Sequence, residues 1–484
     1  MHKAIIQLIE YAIKHNLIQP IDRIYCYHQL CQSLKLQPIP YEPTNFQSTL
    51  IDLLHTPLIE HAVMHQLIED HIAAHDQFIA QIMNVFTPKP SVLIEKFNAL
   101  YKQSPQAATD YFYTLSQAND YIKTTRIKKN RHYNYTSPYG NIGITINLSK
   151  PEKDPKSIAA LKQQISHDYP QCLLCKENVG LYGEGTYPGR SNHRIIPVIL
   201  NQETFYFQYS PYVYYNEHAI VLHESHIPML VSKNTFKRLF DFIDQFPHYF
   251  LGSNAGLPIV GGSILDHEHY QGGRAKFPIE DAKIIHSTHI DGVTFEILKW
   301  PLSVVRLSAN SKEALIDAAE KLRVFFESYS DESVDLIAET NEKHNAITPI
   351  ARKHEDTYIL DVALRNNRTN EQYPDGIFHP HKDVHAVKKE NIGLIEVMGL
   401  AILPARLDQD LKHITQVIAG NIQTFEGIKR YQTWIEQLKT QDITLDEAVG
   451  KLFVKGLEDC GIFKQTTQGQ AAFIRFLESY LTHD

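Results

Sequence analysis

The sequence predicts an α+β protein, helical at both ends with two strand-rich units between. Three observations carry this. Apolar residues recur at three- and four-residue spacing over residues 1–125 and again over 408–484, the period of helices with one buried face. Between them lie aromatic and β-branched runs bounded by turn residues, the signature of strands. The order strand, strand, helix, His-x-His strand then occurs twice, in 126–291 and 292–407, a weak internal repeat without sequence identity. A chain of 484 residues has room for such a division into two to four domains.

The first 17 residues put Ile5, Leu8, Ile9, Ala12 and Ile13 on one helical face, but Glu10, Lys14 and His15 interrupt it, so the segment reads as neither a signal peptide nor a membrane span. No apolar run approaches the roughly 20 residues that a transmembrane helix requires, and a cytoplasmic protein is expected. Helical periodicity continues over 58–86, broken at Thr87-Pro88-Lys89-Pro90 and at Ser104-Pro105. This region has no catalytic spacing and reads as a helical appendage. The turn cluster Thr136-Ser137-Pro138-Tyr139-Gly140-Asn141 opens the first strand-rich unit, followed by strands over 142–148, 205–212 and 218–222. A helix over 232–246 carries Phe236, Leu239, Phe240 and Ile243 on one side, and extended structure resumes at 249–253. The second unit has strands over 293–298 and 303–307, a helix over 312–329, and an extended segment containing Phe378-His379-Pro380-His381. Leu411, Ile414, Val417 and Ile418 restore the helical period.

Hydrophobic residues make up 43% and charged residues 21%, as in a soluble globular protein. The net charge of −8 argues against a general nucleic-acid binder, because no basic excess is available to neutralise a phosphate backbone. Cys26, Cys31, Cys172, Cys175 and Cys460 are too few and too irregular for a disulfide framework.

The run His267-Glu268-His269-Tyr270-Gln271 is the centre of the chemistry. On a strand, alternate side chains share a face, so His267, His269 and Gln271 project together at intervals of about 6.6–6.8 Å. An imidazole held at phosphorus by neighbouring donors acts as a nucleophile through a phosphoramidate. Cys172-Leu173-Leu174-Cys175 has the spacing of a zinc knuckle, with His226 and His267 as candidates for the other two ligands; a buried or redox-active pair is the alternative.

The histidine run resembles the histidine-triad superfamily, and Gln271 in the third position resembles its nucleotidyltransferase branch. With Ser137-Pro138-Tyr139-Gly140-Asn141-Ile142-Gly143-Ile144, residues 172–180, Phe207-Gln208-Tyr209-Ser210-Pro211-Tyr212, residues 252–274 and residues 390–400, the chain resembles, over essentially its full length, the galactose-1-phosphate (hexose-1-phosphate) uridylyltransferases of the longer, type 2 family. The resemblance implies two histidine-triad-like antiparallel half-barrel units with helical extensions. It implies transfer of UMP from UDP-glucose to galactose 1-phosphate in galactose metabolism (the Leloir pathway), with His269 attacking the α-phosphorus and Gln271 donating to a non-bridging oxygen. Cys172, Cys175, His226 and His267 match the four ligands of a structural zinc in the shorter branch. Asn192 and Arg194 fall near the uracil and ribose, Asn254 and Ser263 near the phosphates, and Lys150 and Lys153 at the places of two phosphate-binding arginines. Residues 390–399 fall at the hexose pocket.

His379 and His381, within His379-Pro380-His381-Lys382-Asp383-Val384-His385, match histidines of a second, iron-type site that would enlist His344 and Glu280. The favoured reading of them is hydrogen-bonded remnants of a duplication. No nucleic-acid or membrane partner is expected, and a homodimer is the assembly to test. Two alternatives stand beside this: a histidine-triad transferase or phosphorylase acting on adenine dinucleotides, separated by assaying UDP-glucose against diadenosine tetraphosphate, and a non-catalytic nucleotide sensor, for which a nucleophile would be superfluous.

Overall fold

The structure is a computed structural model and describes residues 1–44, 51–149, 169–262 and 264–482. A ten-stranded, wholly antiparallel sheet runs through its centre in the order β3-β4-β5-β7-β6-β11-β12-β10-β9-β8. One half comprises β3 (Ile196–Leu200), β4 (Glu203–Tyr209), β5 (Ala219–His223), β6 (Phe250–Gly252) and β7 (His269–Gly273). The other comprises β8 (Ile284–Ile290), β9 (Val293–Leu298), β10 (Val304–Ala309), β11 (Asn345–His354) and β12 (Thr357–Asn366). Each half is three strands, a helix and two strands, and the halves meet edge to edge where Gly252 pairs with Ile350. β8 precedes residue 292 yet pairs with β9 in the second half.

The repeat ends differently from expectation. Phe378-His379-Pro380-His381 is no strand: it lies in a loop before a short 3-10 turn, Lys382–Val384, with His381 Nε2 3.0 Å from the Ile377 carbonyl. The second half closes instead with the β11–β12 hairpin, which the sequence disguised. Pro349 interrupts β11, and Asp361 and Arg365 interrupt the apolar pattern of β12. Pro349 is tolerated where pairing with β6 gives out, its carbonyl accepting from Ser253 N at 3.0 Å, and Asp361 is held by Arg306 at 2.6 Å and Arg352 at 2.7 Å.

The helix between β5 and β6 (Lys233–Gln245) starts in a capping box of Ser232 with Thr235 and buries Phe236, Leu239, Phe240 and Ile243 completely. With the helix Lys312–Ser328 and the C-terminal helix Thr467–Leu481 it covers one sheet face. The N-terminal helices join that core rather than hanging from it. Phe112, in the helix Pro105–Ala118, packs its ring 5.5 Å from that of Phe207 and 5.1 Å from that of Tyr209. Pro90 and Pro105, read as breaks, open the following helices at positions where a missing N–H costs nothing.

On the opposite face, Val304, Ile350 and Ala363 of the second half lie under a small sheet. That sheet is β1 (Arg131–Ser137), β2 (Gly140–Asn147) and β13 (Leu400–Pro404), backed by helices Leu394–Val397, Arg406–Ile418, Gln432–Leu438 and Leu445–Cys460. Among the described residues no helix is long and apolar enough to cross a membrane.

Candidate functional site

Over the first half of the sheet that same face carries the histidine run. Register sets the neighbours: Tyr206 pairs with Leu222 and Leu222 with His269, while Gln208 pairs with Ile220, Ile220 with Gln271 and Gln271 with Gly252. Cross-strand partners share a face, so His269 and Gln271 sit beside Leu222, Ile220 and Gln208. The intervening Tyr270 points the other way, stacked on Phe205 at 5.6 Å, its hydroxyl donating to Glu268 at 2.6 Å. Arg238 holds the same carboxylate at 3.3 Å, pinning the strand from behind. Gly272 allows the close pairing, since a Cβ there would stand 2.5 Å from the Phe250 carbonyl oxygen.

His269 Nδ1 lies 2.7 Å from the backbone oxygen of His267. A carbonyl only accepts, so Nδ1 carries the proton and Nε2 keeps its lone pair. Burial lowers the pKa of this ring, an effect partly opposed by the bond to the carbonyl.

Behind it, Cys172, Cys175, His226 and His267 converge, their ligand atoms all within 4.8 Å of one another. The two sulfurs are 3.7 Å apart, Cys172 Sγ is 3.2 Å from His267 Nδ1, and Cys175 Sγ is 3.3 Å from His226 Nδ1. A tetrahedral ion with bonds of ~2.3 Å to sulfur and ~2.0–2.1 Å to nitrogen spaces its ligands by about 3.3–3.8 Å, so this donor set fits one zinc-sized ion. Each imidazole is anchored through its far nitrogen, His226 to Asp266 at 3.3 Å and His267 to the His223 carbonyl at 2.9 Å, as metal-ligating histidines usually are. A second group, Asp52, His55 and Asp120, has the Lys123 ammonium 2.8 Å from Asp120, which disfavours a cation there.

Gln208 and Ile220 form part of the floor of a cavity of about 680 Å³ whose other walls include Asp76, Tyr121, Lys123, Arg190, Asn192 and Tyr214. Its surroundings hold buried polar groups: Arg190 Nε has no partner, while the His218 ring faces Gln271 and the His193 ring faces Gln208, too loosely for full hydrogen bonds. Burial pushes His218 down to about 4, and burial together with Arg190 holds His193 well below the usual histidine range, so both rings are neutral. Neutral rings and amides around an open volume suit a polar ligand.

The remaining residues fall unevenly. Asn192 lines the cavity but exchanges amide bonds with Asn119, Asn192 Nδ2 giving to the Asn119 carbonyl at 2.8 Å and Asn119 Nδ2 to that of Asn192 at 2.9 Å. Arg194 does not line it: its guanidinium donates to the carbonyls of Pro88, Ser191 and His193 and to Asn84 Oδ1, tying the segment before β3 to the N-terminal helices, and burial lowers it to about 10. Asn254 accepts from Leu394 N at 2.9 Å and thereby joins the end of β6 to the segment holding the buried Lys388–Glu396 pair, 2.7 Å apart. Lys150, Lys153 and Ser263 lie outside the described residues.

The second histidine cluster does not converge. His379 lies 3.2 Å from Asn391 Oδ1, His385 3.0 Å from the Pro380 carbonyl and His344 2.9 Å from Asn367 Oδ1, while Glu280 caps Phe277 N at 2.7 Å. Sequence reasoning missed Tyr121, Arg190 and His218. His218 was within reach, because 218, 220 and 222 alternate as 267, 269 and 271 do.

Two family models match the chain: the galactose-1-phosphate uridyl transferase N-terminal domain over residues 16–228 and its C-terminal domain over residues 242–423. Curated relatives named galactose-1-phosphate uridylyltransferase include one from Clostridium perfringens, 45% identical over 492 residues with 98% of each chain covered. One from Lactiplantibacillus plantarum is 48% identical over 468 residues, covering 94% of this chain and 95% of its own. A galactose-1-phosphate uridylyltransferase 2 from Streptococcus pneumoniae is 47% identical over 486 residues, with 98% of each covered.

Proposed function

The chain belongs to the galactose-1-phosphate uridylyltransferase family and is a transferase, and on that premise we propose that it moves UMP from UDP-glucose to galactose 1-phosphate through a covalent uridylyl-histidine at His269. The observation that carries this reading is the bond from His269 Nδ1 to the His267 carbonyl, which leaves Nε2 unprotonated on the sheet face that floors the cavity. In the first half-reaction an N–P bond forms from Nε2 to the α-phosphorus, the bond to the bridging oxygen breaks, and glucose 1-phosphate leaves with the electron pair. In the second, a phosphate oxygen of galactose 1-phosphate attacks the same phosphorus and the N–P bond breaks, giving UDP-galactose. Glucose 1-phosphate leaves as an anion and the imidazole leaves as a neutral ring with Nδ1 still protonated, so neither departure needs a further proton.

Gln271, two residues along the same face, donates its amide to a non-bridging oxygen of the moving phosphoryl group. Asn192 and Arg190 belong to the nucleotide wall. Arg194 supports that wall from behind, and Asn254 sets the approach of residues 390–399, where the hexose would lie. Contacts from Ser263, Lys150 and Lys153 to the phosphates remain part of the proposal. Cys172, Cys175, His226 and His267 would hold zinc. The ion would be structural, fixing by charge and geometry the loop that leads into β7.

Isotope exchange tests the reading without the second substrate. UDP-glucose and labelled glucose 1-phosphate should exchange label in the absence of any galactose compound, and full kinetics should give parallel double-reciprocal lines. Intersecting lines with no exchange would mean direct transfer in a ternary complex.

A further inference from the structure

A second cavity, of about 1240 Å³, opens between the β1–β2 hairpin, residues 382–389 and the C-terminal helices, and shares no lining residue with the one beside Gln271. Six cations line it: Lys382, Lys389, Arg406, Arg430, Lys451 and Lys455. Its two carboxylates are already engaged, Asp383 with Lys455 at 3.0 Å and Glu458 accepting from the Tyr139 hydroxyl at 2.6 Å. Arg430 is paired with Asp410 at 2.5 Å. Lys382, Lys389, Arg406 and Lys451 have no carboxylate at ion-pair distance among the described residues, and Arg406 shares only a longer-range attraction with Glu390.

Such a group is not a by-product of composition, because the chain as a whole carries a net charge of −8. All four side chains are exposed and line one cavity, so an anion bound there would meet several cations at once. A single phosphate would leave most of them unneutralised, and the volume exceeds what one phosphate fills. Tyr135 and the edge of Trp434, which is buried to 8% exposure, add an apolar wall for the remainder of a ligand.

We propose that this cavity binds a small molecule carrying two or more linked phosphates, with Lys382, Lys389, Arg406 and Lys451 around the phosphates and Trp434 beside the rest. The inference stands apart from the transfer reaction, since no residue of this cavity belongs to the catalytic face.

Tryptophan fluorescence gives a local readout. The only other tryptophan, Trp300, is fully buried and donates Nε1 to the Val397 carbonyl. The full chain, saturated with UDP-glucose to occupy the transfer site, is titrated with inorganic tripolyphosphate, with orthophosphate and a short single-stranded oligonucleotide as comparisons. The expected result is a saturable change with Kd below about 1 mM for tripolyphosphate, much weaker binding of orthophosphate, and no signal in Trp434→Phe. Lys382→Gln/Lys451→Gln should weaken binding by about tenfold or more while transferase turnover is unchanged. Equilibrium dialysis of labelled tripolyphosphate, which needs no tryptophan, should show one site lost in the double variant. No saturation below about 10 mM, or a double variant that titrates like the wild type, would overturn the proposal. Tighter binding of the oligonucleotide at these residues would also overturn it, in favour of a nucleic-acid surface.

Discussion

His269 and Gln271 lie two residues apart on one face of β7, and substitutions there should separate bond making from charge stabilisation. His269→Ala should abolish both half-reactions with UDP-glucose binding retained, which calorimetry alongside the exchange assay would measure. Gln271→Ala should lower kcat by on the order of 10²–10³-fold, the usual loss for one donor to a developing charge, with a smaller change in KM. A normal kcat would remove the amide from the mechanism. His218 makes a stability prediction. Burial holds its folded pKa at about 4, below the ordinary histidine value, so the folded state resists protonation. Stability is then unaffected by this group above pH ~6.5 and falls as pH drops from ~6.5 towards 4, by roughly 3 kcal/mol in total. In urea titrations at pH 7 and pH 4.5, His218→Gln should shrink the acid loss; an unchanged loss would mean that the ring is protonated in the folded state. The alternation of residues 267, 269 and 271 made His269 and Gln271 legible without a structure. His218 and Arg190 were not legible, because what they face is fixed by cross-strand register and by a loop packed against distant helices.

Among the elements, the helices were the most legible. Caps and periodic apolar residues are local, so Ser232 and the stripe from Phe236 to Ile243 could be read directly. β11 and β12 hid because their polar residues are satisfied by tertiary partners. Asp361 is the clearest instance: burial alone would raise its pKa, but the Arg352 and Arg306 guanidiniums outweigh that and hold the carboxyl below its usual range. Asp361→Ala would strand two arginines inside the sheet and should cost about 3–5 kcal/mol, seen as a lowered midpoint in chemical denaturation. A loss below ~1 kcal/mol would mean that the arginines find water or other partners. The possible metal-ligand cluster was half legible as Cys-x-x-Cys, and the structure adds the convergence of His226 and His267 from separate elements. Elemental analysis of the purified chain should find one zinc per chain, lost in Cys172→Ser together with thermal stability. Fully active protein without zinc would reduce the four residues to packing groups.

At the scale of the molecule, the two halves of the sheet share one strand order but differ in what covers them. Both halves repeat the same strand order, yet in the second the small sheet and C-terminal helices fill the face that in the first carries the histidine run. The N-terminal helical region, read from sequence as an appendage, supplies Asp76 from the helix Ile72–Asn84, and Tyr121 and Lys123 from the segment after the helix Pro105–Ala118, to the cavity wall. No local pattern encodes that, since it depends on where the helices dock. The proposed transfer depends on a covalent intermediate at one side chain, which mass spectrometry of the protein after incubation with UDP-glucose detects most directly. The expected result is a mass increase of one uridylyl group, stable in base, labile in acid, discharged by galactose 1-phosphate and mapped by peptide sequencing to His269. Active enzyme that shows no adduct under these conditions, or an adduct mapped to another residue, would contradict it.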